Sequence, residues 1–281
     1  MYIKEWHWEI TRKCNLRCKH CISNCGLSSI SELQTEQMIM AVNCMKRTGC
    51  EKVMITGGEP LCCDGFWEVL DECNKQDIAV HFLTNATLMD KDAIRRVIGR
   101  VEGVGISLDG ANRKTNDFVR GKGVFEAVIQ TIRKLAADIP VSVFVTASRF
   151  NLQEIKSAIE LCRSLKVRHI HVSEINMQGR ALSNRELFAL LPSEKEKLRT
   201  LASKMTGATP IQKCEIDPTV VYMSSDGLVY SCVEIALRSP SNTDDGIRRN
   251  KPNSCPYQVF AGDDLVFCLN DAGSKCNLLE A

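Results

Sequence analysis

The sequence predicts an α/β fold built on a parallel sheet. Three observations predict it. Short β-branched runs alternate with helical patterns from residue 51 to 174, the helical patterns place apolar residues three and four apart, and six strand–helix units result once the N-terminal run is counted. In chain order the strands are Trp6–Thr11, Lys52–Thr56, Ala79–Thr84, Gly103–Leu108, Val141–Thr146 and Arg168–Ser173. The amphipathic segments are Thr35–Arg47, Gly65–Lys75, Asp90–Ile98, Val124–Ala136 and Leu152–Leu165. Closed parallel barrels usually have eight such units, so six leave either an open barrel or a doubly wound sheet. After Gln178-Gly179-Arg180 the pattern changes to one helix, Pro192–Met205, and a Gly-, Asp-, Ser- and Cys-rich tail with strand-like pieces at Thr219–Met223 and Leu228–Ser231. A boundary near 185 divides the chain into 1–185 and 186–281, and Arg238–Asn253 reads as a long polar loop.

Composition narrows the function. The chain has 281 residues, enough to bury a large core unaided. Lys+Arg 36 against Asp+Glu 34 gives +2, which argues against a bulk nucleic-acid binder or a disordered tail. No apolar run is long enough for a secretory signal or a membrane span, so the expected location is the cytoplasm, with no membrane partner. Fifteen cysteines in that compartment call for metal, catalysis or inert burial, since disulfides are rare there.

Cys14-Asn-Leu-Arg-Cys18-Lys-His-Cys21 is a C-x3-C-x2-C loop directly after the first strand. Three thiolates on one loop repel unless a cation holds them, and iron–sulfur clusters and zinc are the soft-ligand solutions. Zinc would need a fourth ligand such as Cys25 or His20, whereas a cubane with three protein ligands leaves one iron open. The second strand runs into Gly57-Gly58-Glu59-Pro60, where glycines let backbone approach a ligand and Glu59 offers a carboxylate.

These two motifs together resemble the radical S-adenosylmethionine (SAM) superfamily. The resemblance implies a partial (β/α)6 barrel. It implies a [4Fe–4S] cluster on Cys14, Cys18 and Cys21, SAM on its open iron, and Gly57, Gly58, Glu59 and Pro60 as cofactor contacts. His20 stands where the family commonly has an aromatic residue near the adenine. Asn85, Ser107 and Arg180, at later strand ends, are further expected contacts, and Asp109 is either a contact or a turn residue before Gly110.

In the tail, Cys214, Gly227 and Cys232 form a C-x12-G-x4-C element that resembles the SPASM/Twitch extension, a small α+β auxiliary-cluster domain. The dense block of the full SPASM pattern is absent. The resemblance therefore implies one auxiliary [4Fe–4S] cluster on Cys214, Cys232, Cys255 and Cys268, with Cys276 as a rival for either of the last two. Cys44, Cys73 and Cys162, on helical faces, are expected to be small buried hydrophobes. Cys276, Cys25 and Cys62 lie near ligand-bearing segments; one of them could be a hydrogen-atom donor, with Cys276 as the candidate and inert burial as the alternative for each.

The resemblance further implies reductive cleavage of SAM to a 5′-deoxyadenosyl radical, which abstracts hydrogen from an unactivated C–H bond. An external one-electron reductant such as flavodoxin or ferredoxin is then required. The tail spacings are similar to those of sugar and aminocyclitol enzymes of antibiotic biosynthesis. The leading expectation is therefore an oxidoreductase or epimerase acting at a carbinol carbon of a small polar substrate. The first strand begins close to Met1, so no leader-peptide recognition domain is expected, in keeping with that substrate. The alternative is a maturase of ribosomally made peptides that forms epimers, thioethers or carbon–carbon links. A non-enzymatic iron–sulfur or zinc protein would leave the GGEP strand end without a purpose.

Overall fold

The computed structural model describes residues 2–26, 32–205, 208–211, 219–230 and 265–268. Cys214, Cys232, Cys255 and Cys276 therefore lie outside the described residues, and Cys268 is described in its backbone alone.

Six parallel strands form the centre of the sheet: β1 (Glu5–Thr11), β2 (Lys52–Gly57), β3 (Ala79–Thr84), β4 (Gly103–Ser107), β5 (Val141–Ala147) and β6 (His169–Glu174). They lie side by side in chain order. A doubly wound sheet would reverse direction partway, so the sequential order decides for the open, partial barrel. The six expected strands are present, with no end shifted by more than one residue. The helices that follow them are α1 (Thr35–Arg47), α2 (Phe66–Lys75), α3 (Lys91–Val97), α4 (Arg113–Arg120), α5 (Val124–Leu135), α6 (Ile155–Ser164), α7 (Gly179–Ser183), α8 (Arg185–Phe188) and α9 (Pro192–Lys204).

The alternation along each strand divides the molecule into two faces. Trp6, Trp8 and Ile10 of β1, Val53 and Ile55 of β2, Val80 and Phe82 of β3 and Val141, Val143 and Val145 of β5 pack with Val42, Met45, Phe66, Leu70, Val128 and Ile132 of the helices in one buried cluster. The opposite parity is mixed: Glu9, Thr11, Thr56, Ser107, Thr146 and Ser173 lie on it beside the apolar Met54, Leu83 and Phe144. That face is available to a ligand, and the strand ends that carry it are C-terminal.

The tail contributes further strands to the same sheet. β8 (Val220–Met223) pairs parallel with β1 and forms a hairpin with β9 (Val229–Tyr230), at the two positions where the sequence suggests strand-like pieces. β7 (Ala208–Ile211) and β10 (Leu265–Cys268) extend the other edge beside β6. No described helix is long and apolar enough to cross a membrane. Of the helical cysteines, Cys73 and Cys162 are fully buried as expected, but Cys44 is exposed, with its sulfur accepting from Arg47 Nη2 at 2.9 Å. The periodicity of α1 places Cys44 beside the buried stripe of Met38, Val42 and Met45, not within it.

Candidate active site

The cysteine loop is folded back onto the end of β1. Cys14 N–H donates to Gly26 O at 3.0 Å, and Gly26 N–H to Arg12 O at 3.1 Å, closing residues 12–26 into a lasso. The end of β2 is laced to the same stretch, with Gly58 N–H donating to Thr11 O at 2.7 Å and Glu59 N–H to Lys13 O at 2.9 Å. This explains the paired glycines. A Cβ on Gly57 would fall 2.4 Å from Thr11 O, and one on Gly58 2.2 Å from Lys13 O, one residue before the first cysteine. The backbone that comes close here is the chain's own.

Glu59 is fully buried and faces β3, where its carboxylate accepts from Thr84 Oγ1 at 2.8 Å, Asn85 N–H at 2.7 Å and Leu61 N–H at 3.2 Å. Burial pushes its carboxyl up to about 7, against the pull of those hydrogen bonds. Its side chain joins two strand ends, which sets the position of Asn85. The Asn85 amide donates to Asn15 Oδ1 at 2.9 Å and lies 3.9 Å from Cys14 Sγ.

Cys14, Cys18 and Cys21 line one cavity of about 240 Å³ at the C-terminal end of the sheet. Of the other expected contacts, His20, Gly57, Gly58, Asn85, Ser107 and Arg180 line it, while Glu59, Pro60 and Asp109 stand behind its wall. Asp109 is an anchor at 1% exposure. Its Oδ2 is 2.6 Å from His20 Nε2 and 2.7 Å from Arg120 Nε, and its Oδ1 accepts from Thr146 N–H at 2.8 Å. The arginine contact is a close charge pair without an aligned N–H. Despite full burial, Arg120 and His20 hold the Asp109 carboxyl well below the usual carboxylate range. His20 Nδ1 is buried without a hydrogen-bond partner.

Arg180 ties the far wall to the loop. Its Nε donates to Cys18 O at 2.8 Å, its Nη1 to Asn24 Oδ1 at 3.0 Å and its backbone N–H to Cys21 O at 2.9 Å. The preceding Gly179 has φ +52°, and a Cβ there would lie 2.3 Å from Ile22 O. Arg120, which the sequence pattern does not single out, also lines the cavity, and its carbonyl accepts from Cys18 Sγ at 3.8 Å.

The thiols themselves show what the cavity is suited to hold. Burial pushes Cys14 up to about 12 and raises Cys18, whereas Cys21 is lowered, chiefly by a hydrogen bond from Cys25, whose own thiol is raised. Ligation requires thiolates, so a cation must displace protons from this loop. Among the described residues no three Cys, His, Asp or Glu side chains close on a point as a single metal ion requires. The three cysteines line the same cavity as Arg120 and Arg180, which bring two guanidinium groups to it. Soft donors on a cavity wall, an unpartnered imidazole nitrogen and cationic side chains fit a cluster together with a nucleotide cofactor.

Residues 8–172, from β1 into β6, match the family model of the radical SAM superfamily, over more than half the chain. The chain belongs to the radical SAM superfamily. Mycofactocin maturase MftC of Mycolicibacterium smegmatis is 37% identical over 144 residues, 50% of this chain and 37% of that protein. An AdoMet-dependent heme synthase of Methanosarcina barkeri is 31% identical over 212 residues, 73% of this chain and 59% of that protein. The matches thus span 37% and 59% of the two relatives, less than two thirds of either. Among solved structures, Streptococcus suis SuiB bound to precursor peptide SuiA superimposes with a TM-score of 0.64 at 16% identity, covering 85% of this chain and 61% of SuiB. SuiB bound to SAM gives 0.65 at 15% identity, covering 90% and 63%. At those identities the likeness is one of fold: a curled half-barrel with helices outside.

Proposed function

We propose that this chain is a radical SAM enzyme that modifies a peptide substrate. The observation that carries the chemistry is the gathering of Cys14, Cys18 and Cys21 around one cavity together with Gly57, Gly58 and Asn85, at the C-terminal end of a half-barrel. In this reading the three thiols hold a [4Fe–4S] cluster and the same cavity receives SAM. Bound together, these groups supply hydrogen-atom abstraction from an unactivated C–H bond. The residues of the chain supply position. Arg180 and the backbone of α4 fix the cysteine loop, Asp109 orients His20 toward the cofactor, and Ser107 and Asn85 offer hydrogen bonds from neighbouring strands.

The substrate assignment departs from the leading expectation of the sequence. A maturase stands among the relatives at 37% identity, and SuiB has been solved with a precursor peptide, while no sugar or aminocyclitol enzyme appears among the relatives named above. These favour the peptide alternative over a small carbinol substrate. The longer alignment with the heme synthase supports a second reading, a tetrapyrrole substrate.

The tail belongs to the proposal as well. Residues 186–281 form a Twitch-like domain, and Cys214, Cys232, Cys255 and Cys268 hold an auxiliary [4Fe–4S] cluster, with Cys276 as hydrogen-atom donor. Anaerobic reconstitution followed by SAM, dithionite and a precursor peptide encoded beside the gene tests the reading. The expected result is 5′-deoxyadenosine with a mass change or deuterium uptake in the peptide. Turnover of an aminocyclitol or an iron porphyrin, with the peptide left unchanged, would overturn the substrate assignment.

A further inference from the structure

The back of the cysteine loop carries a surface that the cavity does not use. Leu16, Cys18 and His20 line the cavity, whereas the alternate residues do not, Arg17 being exposed and Lys19 half-buried. Helix α4 supports this loop from outside: Lys19 N–H donates to Val119 O at 2.9 Å, and Cys18 Sγ to Arg120 O at 3.8 Å. The same last turn of α4 presents Phe118 to solvent at 41% exposure, with Lys19 Nζ 3.3 Å from its ring centroid. Phe150 stacks behind Phe118, their centroids 4.5 Å apart at 20°.

The surroundings of that ring are cationic. Lys114 is one turn earlier on the same helix face, and Lys122 follows the helix; both are exposed. Among the described residues Arg17, Lys19, Lys114 and Lys122 form no salt bridge. The one acid of the stretch, Asp117, is turned inward to accept from Gly123 N–H and Phe125 N–H, each at 2.7 Å, and nearby Glu126 is paired with Arg113 at 3.4 Å. The result is an exposed aromatic ring with Lys19 over its face and Lys114 one turn away on the same helix, neither of them in a salt bridge with a described residue, behind a cluster-ligating loop.

We propose that this face docks an acidic one-electron carrier protein of flavodoxin or ferredoxin type, which reduces the cluster held by Cys14, Cys18 and Cys21. The proposal rests on the function proposed above. A substrate that gives up a hydrogen atom must enter the cavity, but an electron can cross the loop, so a surface separated from the cavity by the ligands suits an electron donor. The route is short: the backbone from Phe118 through Val119 to the Arg120 carbonyl, then one contact to Cys18 Sγ. One electron leaves the reduced carrier and enters the cluster; no bond is made or broken and no proton moves. Positive charge around the contact steers an acidic partner and makes association salt-dependent.

The test uses reconstituted holoenzyme and purified bacterial flavodoxin, with Lys19→Glu/Lys114→Glu/Lys122→Glu combined and Lys114→Glu alone, the latter remote from the cysteine loop. Biolayer interferometry should show wild-type binding that weakens as NaCl rises, and roughly tenfold weaker binding by the triple variant. Deoxyadenosine formation driven by photoreduced flavodoxin should fall in parallel, in part for Lys114→Glu, while the dithionite-driven rate stays within about twofold. Unchanged flavodoxin binding would overturn the proposal. Equal losses with both reductants, or loss of precursor-peptide binding with flavodoxin binding intact, would also overturn it. If wild-type holoenzyme made no deoxyadenosine with dithionite, the reading of the site would fail instead, independently of the binding result.

Discussion

Replacing Asp109 by Asn removes one charge from the most deeply buried ion network of the site. Asp109 is 1% exposed and Arg120 9%, and the carboxylate also receives His20 and Thr146 N–H. An Asn side chain retains one oxygen for these donors and leaves the Arg120 guanidinium without its counter-charge. Removing one partner of a buried pair typically costs about 3–5 kcal/mol. At about 2–4 °C per kcal/mol for a domain of this size, the melting temperature should fall by roughly 10 °C. The assay is urea unfolding under anaerobic, metal-free conditions, with Arg120→Met and the double variant completing a cycle. The double variant should recover a substantial part of the loss, because no charge then remains unpaired. The pH dependence provides a second signature. Asp109 titrates below its unfolded value, so its contribution is complete above roughly pH 4–5 and disappears as the pH falls below that. The Asn variant should lack that acid limb. A loss below about 1 kcal/mol, or strictly additive single and double variants, would refute the account of this network.

Gly58→Ala places a Cβ 2.2 Å from Lys13 O and should displace the cysteine loop; overpacking of this kind costs about 1–3 kcal/mol, and iron incorporation should fall with stability. Full iron content at wild-type stability would show that the contact is slack. Glu59 titrates at about 7, above its unfolded value, so its contribution is present below about pH 4.5 and declines as the pH rises to 7. A pH series of unfolding free energies should show that slope in wild type and its loss in Glu59→Gln, and parallel profiles would contradict the assignment. Cys276→Ala should abolish deuterium uptake from deuterated water while sparing deoxyadenosine formation; unchanged product would clear Cys276 of the donor role.

The six central strands are legible in the sequence because each is a compact β-branched run between turn residues, and the ten-residue helices because their apolar spacing is unmistakable. Helix α4 is not: Arg113–Arg120 is highly charged, and it is held by the Asn112 side chain accepting from Thr115 N–H and by Glu154 accepting from Thr115 Oγ1, not by an apolar stripe. With α4 hidden, Arg120 is hidden too, since only that helix brings it to the cavity. Whether six strands close, open or reverse depends on pairing order, which periodicity does not encode; the observed order of β1 to β6 supplies it. The glycine pair is visible as a motif, yet its reason, the approach of Thr11–Lys13, is a tertiary contact between segments more than forty residues apart. Asp109 likewise reads locally as a turn residue and acts through partners eleven to eighty-nine positions away. The mixed inner face has no sequence signature separate from the strands that carry it.

The central claim is that Cys14, Cys18 and Cys21 hold a cluster with an open position for SAM. Electron paramagnetic resonance of the anaerobically reconstituted, dithionite-reduced chain, recorded with and without SAM, tests it most directly. A [4Fe–4S] signal whose shape changes when SAM is added is expected, and that SAM-sensitive component should be lost in Cys14→Ala. Stoichiometric zinc in place of iron, or a spectrum indifferent to SAM, would contradict it.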